Sequence, residues 1–99
     1  MKDLGLNKQE LTKILSVFNR HPEIIKVMIF GSRAKGTSRP NSDIDFAVDG
    51  ISGDLQIEFL AMELDELSLP YKFDVTSIAT ISNRALSEHI ERVGVTIYP

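Results

Sequence analysis

The stretch GSRAKGTSRPNSDIDFAVDG, residues 31–50, decides how this chain is read. The run before it, IIKVMIF at 24–30, is short, β-branched and nearly all apolar, as in a strand buried on both faces. Near its end, DIDFAVD at 43–49 alternates. Ile44, Phe46 and Val48 fall on one face of a strand; Asp43, Asp45, Ala47 and Asp49 fall on the other. Between the two runs lies a loop rich in Gly, Ser and Arg, with a helical turn expected at Ser32 to Lys35. The unit is therefore strand, loop, strand, with one face of the second strand packed and its acidic face open. Asp43 and Asp45 repel each other on that face, so the pattern calls for a compensating charge.

Working outward, residues 8–19 place Leu11, Ile14, Leu15 and Phe18 at i, i+3, i+4 and i+7, one apolar helical stripe. Asn7 is placed to cap this helix, Glu10 completes a capping box, and His21-Pro22 ends it. Downstream, residues 53–68 are predicted helical, closed by Pro70. This second helix carries two apolar stripes. Ile57, Leu60, Leu64 and Leu67 form one; Leu55, Phe59 and Met62 form another on roughly the opposite side. A surface helix of a small domain needs one, so the second stripe calls for cover by a partner, a second copy, or a loop or terminus of the same chain. YKFDVT, 71–76, is a third strand in which Phe73 and Val75 alternate with Lys72 and Asp74. Residues 82–92 form a third helix, with Leu86, Ile90 and Val93 on one face and Gly94 as its stop. VTIYP, 95–99, adds a short edge strand, where a terminal proline is tolerated. The expected fold is α/β of the α+β kind: a small mixed sheet with helices packed on one face, in a single domain spanning 1–99.

Composition narrows the function classes. The apolar fraction, 42%, and charged fraction, 25%, are ordinary for a globular protein. A net charge of −3 argues against a general electrostatic grip on nucleic acid. Cysteine is absent, which removes disulfides and thiolate metal sites. The N-terminal MKDLGLNKQE lacks the apolar core of a signal peptide, and no apolar run approaches the ~20 residues of a membrane span. A cytoplasmic protein is expected, with neither membrane association nor direct nucleic-acid binding.

The chemistry concentrates on the open face. If the strands carrying Asp43, Asp45 and Asp74 are neighbours, three carboxylates converge there. A divalent cation reverses their repulsion, and Mg²⁺ takes carboxylate oxygens together with water and substrate phosphates. Two such ions bridged by Asp43 and Asp45 can clamp the attacking and leaving oxygens of an in-line phosphoryl displacement. Asp74 can hold one ion and accept the proton of the incoming hydroxyl. Gly31-Ser32 supplies the phosphate end. Gly31 admits backbone without a Cβ clash, N–H groups at a helix start attract phosphate, and the Ser32 hydroxyl adds a donor. Arg33, Lys35 and Arg39 bring positive charge to the same loop, which suits a metal-triphosphate. Taken singly, a DxD on a strand is most often a solvated acidic face, and Gly-Ser after a strand a turn. Joined at this spacing, with a further strand aspartate, they are far more specific.

Gly31-Ser32, ten residues, then Asp43-Ile44-Asp45 resembles the signature of the DNA polymerase β-like nucleotidyltransferase superfamily. Within it, the chain is similar to the minimal nucleotidyltransferases, which consist of the catalytic domain alone. GSRAKGTSRPNSDIDFAV carries the strongest likeness; YKFDV and EHIERVGVTIY extend it over nearly the whole chain. The resemblance implies two Mg²⁺ ions and transfer of a nucleoside monophosphate, AMP from ATP in the first instance, to a hydroxyl. It implies Asp43 and Asp45 as shared metal ligands, Asp74 as the third carboxylate, and Gly31 and Ser32 as triphosphate contacts. The extra domains that larger members use to hold their acceptors are expected to be missing. Small stand-alone members act as antitoxins that pair with a HEPN protein, an RNase toxin, and silence it by adding AMP to a tyrosine or by binding it. The expectation is thus a protein adenylyltransferase with a HEPN partner. Two alternatives stand beside it: an antitoxin that only occludes its toxin, and transfer to a small molecule such as an aminoglycoside.

Other residues receive plainer readings. Lys72 shares the parity of Asp74 and either touches substrate phosphate, neutralises Asp74 or is a solvent lysine at a strand end. Asp49 lies about 13 Å along the strand from Asp45 and is read as a strand-end residue. His21 and His89 have no metal-spaced partner and are read as surface or helix-end residues. Tyr71 and Tyr98 are packing residues, and Glu63, Asp65 and Glu66 a solvated helix face.

Overall fold

A reciprocal cap starts the first element. The computed structural model describes residues 4–36 and 43–99. In α1 (Lys8–Asn19) the Asn7 side chain accepts from the Glu10 N–H at 2.7 Å and Glu10 accepts from the Asn7 N–H at 3.0 Å, the predicted capping box. Ile14 and Phe18 of the predicted stripe are buried, joined by Val17, which the prediction omits; Leu11 and Leu15 are half-buried.

The chain then runs through β1 (Lys26–Phe30), the one-turn α2 (Ser32–Lys35), β2 (Ile44–Asp49), α3 (Asp54–Asp65), β3 (Phe73–Ser77), a 3₁₀ turn (Ile78–Thr80), α4 (Arg84–Val93) and β4 (Val95–Tyr98). The described residues thus hold four helices and one four-stranded sheet of order β3-β2-β1-β4. β1 pairs antiparallel with β2 and with β4, while β2 and β3 are parallel, so the sheet is mixed as expected. The α3 crossover makes the parallel pair possible, since parallel neighbours need a long connection.

Strand parity sorts the two faces. Val27 and Ile29 of β1, Ile44, Phe46 and Val48 of β2 and Phe73 of β3 form the main core with α1 (Ile14, Val17, Phe18) and α3 (Leu60, Leu64). Phe18 meets Phe46 edge-on at 5.2 Å, and Phe46 stacks on Phe73 at 6.0 Å. Such pairs add about 0.5–1.5 kcal/mol beyond their buried area. The helix layer expected on one face is α1 with α3. The last helix departs from it: α4 crosses the opposite face, where Ile90 packs on Phe30 and Ala47, with Met28, Ile78, Ile81 and Leu86 at the margin. That cover leaves the carboxylate end of the acidic face exposed.

Element ends shift for local reasons. β1 starts at Lys26 rather than residue 24; the Ile25 side chain is exposed although its N–H donates to the Asp49 carbonyl at 2.8 Å. α3 stops at Asp65 rather than 68. There the Leu67 and Ser68 N–H groups donate three residues back and Ser68 takes φ 58°, a tightened turn that releases the helix. α4 begins at Arg84, where the Asn83 side chain accepts from the Leu86 N–H, and Gly94 ends it directly into β4. His21 joins α1 to α3: its ring nitrogens lie 2.7 Å from Glu63 and 3.3 Å from Glu23. Glu63, read as solvated, is therefore paired.

Candidate active site

The parallel register brings the acids together. Asp45 on β2 stands directly beside Asp74 on β3, and Phe30 of β1 flanks Asp45 on its other side. Asp43 precedes β2 on the same parity; it and Asp74 are exposed, while Asp45 is half-buried. Like charges opposite each other destabilise a sheet. The strain registers on Asp45, whose carboxyl titrates above its ordinary range, first because partial burial disfavours its charge, then because Asp74 and Asp43 repel it. The Arg33 and His89 charges oppose this without cancelling it.

Gly31 sets the other half of the site. It leaves β1 at φ 74°, ψ −150°, a region glycine occupies almost alone, and begins α2. A Cβ there would collide with the Asp45 carboxylate. The backbone at the start of α2 therefore lies against the acid itself, a cradle that any side chain would fill. Ser32 is half-buried at that start, and Lys35 is exposed on the same turn. The start of α2 and the Asp45 carboxylate thus lie side by side.

One predicted contributor does not join them. Arg33, expected at the triphosphate, is turned into the protein with only 1% of its surface exposed. Its Nη1 donates to the Leu4 and Gly5 carbonyls at 3.0 and 3.4 Å, and its guanidinium lies 4.8 Å from the Tyr71 ring centre. Tyr71 in turn donates to Glu10 at 2.8 Å. On this one-turn helix Arg33 and Ala34 take the buried side while Lys35 is exposed. Arg33 is a tether for the N-terminal segment whose charge reaches Asp45 from behind. Arg39 lies outside the described residues. Lys72 is exposed just before β3, where its carbonyl accepts from the Ile44 N–H and so helps set the register. Asp49 pairs with Lys26 at the far end of β2, a strand-end residue as expected.

The structure adds one residue that spacing missed. His89 on α4 meets the Phe30 ring edge-on at 6.1 Å, and its charge is felt at Asp45. No signal in the helix pattern marked it, because its place depends on α4 crossing the acidic face.

The donor set suits a hard cation: three carboxylates, with no sulfur and no second nitrogen ligand beside them. Among the described residues, no group of three or more His, Cys, Asp or Glu side chains is arranged to hold a metal ion as it stands. Asp74 and Asp43 are nonetheless close enough to Asp45 for their charges to act on it.

Comparison with known proteins bears on the fold and family. The family described as Polymerase beta, Nucleotidyltransferase matches residues 12–99. A solved toxin–antitoxin complex with AMP-PNP contains a chain similar to this one at 25% identity, with TM-score 0.73 over 94% of this chain and 73% of that one. A structure assigned as a minimal nucleotidyltransferase gives 29% identity and TM-score 0.70 over 94% of each chain. A complex of tri-AMPylated Shewanella oneidensis HEPN toxin with MNT antitoxin gives 19% identity and TM-score 0.71 over 94% of this chain and 72% of that one, a likeness of fold alone. No curated protein matches.

Proposed function

This chain belongs to the polymerase beta nucleotidyltransferase family, and from that premise we propose that it uses Mg²⁺ to transfer AMP from ATP to a tyrosine hydroxyl of a HEPN-type partner, acting as its antitoxin. The observation that carries the reading is the junction of Gly31 with Asp45 and of Asp45 with Asp74. It sets a phosphate cradle against a carboxylate cluster on one open sheet face. The neighbours that are toxin–antitoxin complexes, one with AMP-PNP and one with an AMPylated toxin, supply the choice of nucleotide and partner.

Asp43, Asp45 and Asp74 would hold Mg²⁺, which when bound neutralises the triphosphate and the charge developing on it. The chain's own groups do the rest. Gly31 and Ser32 receive the phosphates, with Lys35 adding charge from the exposed side of α2. The acceptor oxygen bonds to the α-phosphorus, the bond to the bridging oxygen breaks, pyrophosphate leaves, and the hydroxyl proton passes to Asp74. The described residues contain no helix long and apolar enough to cross a membrane; we place the activity in the cytoplasm, where ATP and an RNase target coexist.

The test is incubation with ATP labelled on its α-phosphate, Mg²⁺ and a purified HEPN-type protein. Label should appear on the partner and be lost with Asp43→Asn/Asp45→Asn. A wild-type protein that transfers no label sinks the catalytic reading. Label appearing instead on an added aminoglycoside replaces the protein acceptor with a small one.

A further inference from the structure

We infer that the outward face of α3 is the surface on which this chain receives its protein partner, and that the partner presents an apolar helix flanked by Lys and Arg. Leu55, Phe59 and Met62 are 67%, 56% and 55% exposed. Among the described residues these, with Ile25, are the large apolar side chains left in solvent. They recur at i, i+4 and i+7, the spacing that one helix offers to another. At ~1.5 Å per residue the stripe runs most of the length of α3 and seats about two turns of a partner helix.

Charge identifies the occupant. α3 contains Asp54, Glu58, Glu63 and Asp65, Glu66 follows it, and the segment 54–66 holds no Lys or Arg. At 100° per residue Glu58 and Asp65 flank one side of the stripe, Glu63 flanks the other, and Glu66 continues its line. Glu63 is engaged by His21 and Arg20. Among the described residues, Glu58, Asp65 and Glu66 are exposed and in no ion pair with Lys, Arg or His. A second copy docking by a two-fold would set this acidic rim against itself, because an isologous interface opposes identical patches. A partner with a basic rim meets opposite charge along the same length.

The surface also has a direction. The inner stripe of α3 packs on the core face of the sheet, and the carboxylates occupy the other face. A partner seated on α3 leaves the nucleotide site open, so holding the partner and modifying it are separable. The inference takes the partner's identity from the HEPN pairing proposed above, and the surface from α3 itself.

The experiment measures binding of a purified HEPN-type protein. It uses the wild type, Leu55→Ser/Phe59→Ser/Met62→Ser, Glu58→Lys/Asp65→Lys/Glu66→Lys and Asp43→Asn/Asp45→Asn, each checked for folding by thermal melt. The stripe variant should bind about 100-fold more weakly. The charge-reversed variant should bind about 10-fold more weakly and lose the salt sensitivity of the wild type; it carries the test if the stripe variant misfolds. The double-Asn variant should bind like the wild type. Equal binding by the stripe and wild-type proteins overturns the inference, as does a wild-type dimer that the stripe variant abolishes. A wild type that does not bind at all overturns it together with the proposed pairing. Stripe-dependent binding without label transfer leaves it standing and removes only the catalytic reading.

Discussion

Asp45 and Asp74 stand side by side on one face of the sheet, while beyond its other face α3 turns Leu55, Phe59 and Met62 outward. Each region keeps an arrangement that folding alone disfavours. In the first, neighbouring strands fix like charges together, and partial burial of Asp45 raises the cost further. In the second, apolar surface stays in water although the same helix buries Leu60 and Leu64 fully on its inner side. The fixed register suits the small, highly charged ligand proposed for it, which needs atoms held in place. The helix stripe, exposed and with an acidic rim, suits the extended protein surface proposed for it. On these proposals the two faces serve different kinds of partner, with the sheet between them.

Substitutions can break that comparison, beginning with the acids. Asp45→Asn should lower transfer by roughly 10³-fold, the rate equivalent of the several kcal/mol that a Lewis-acid ion supplies. Partner binding should stay unchanged, and single-turnover transfer with a binding isotherm checks both. Arg33→Ala should act on stability instead, by about 2–4 kcal/mol, because it unpairs the buried Leu4 carbonyl and removes a stacked side chain. Thermal melts should show the loss while ATP affinity in the folded fraction is kept. Lys35→Ala should do the reverse, raising the KM for ATP with an unchanged melt. A fall in ATP affinity for Arg33→Ala beyond that of Lys35→Ala would return Arg33 to the phosphate site.

Gly31→Ala should cost about 1–3 kcal/mol, since φ 74° with ψ −150° is strained for any other residue. It should also reduce transfer, because the new Cβ displaces the Asp45 carboxylate. The smallest effect is a gain. Asp45 is raised from its ordinary 3.8 in the folded chain, so ionising it works against folding. In metal-free solution its contribution should fall as pH rises from about that ordinary value through the folded one. Asp45→Asn should remove this slope and raise the neutral-pH Tm by a few degrees, and added Mg²⁺ should raise the Tm of the wild type only. A metal-free Asp45→Asn protein that melts below the wild type would refute the electrostatic account of the acidic face.

Much of both regions could be read in advance, and what escaped had a common cause. The capping box, the double stripe of α3, the alternation of β2 and the turn at Ser32–Lys35 are properties of a few neighbouring residues, and each is found where local pattern puts it. Arg33 was legible as a basic residue of the loop, not as one whose guanidinium turns back to Leu4 and Tyr71, residues far away in sequence. His89 had no marker, because helix periodicity distinguishes Ile90 and Leu86 as packed but does not say which sheet face they pack on.

The sequence by itself determined the elements, the parity that separates acids from core, and the unusual second stripe, because caps, turns and side-chain periods act over a few residues. Only the tertiary structure decided that β3 lies parallel to β2 with Asp74 beside Asp45. It alone decided that α4 crosses the acidic face and that Arg33 serves the N-terminal segment. Those outcomes depend on strand order and on which helix covers which face, and both are settled by the packing of residues distant in the chain.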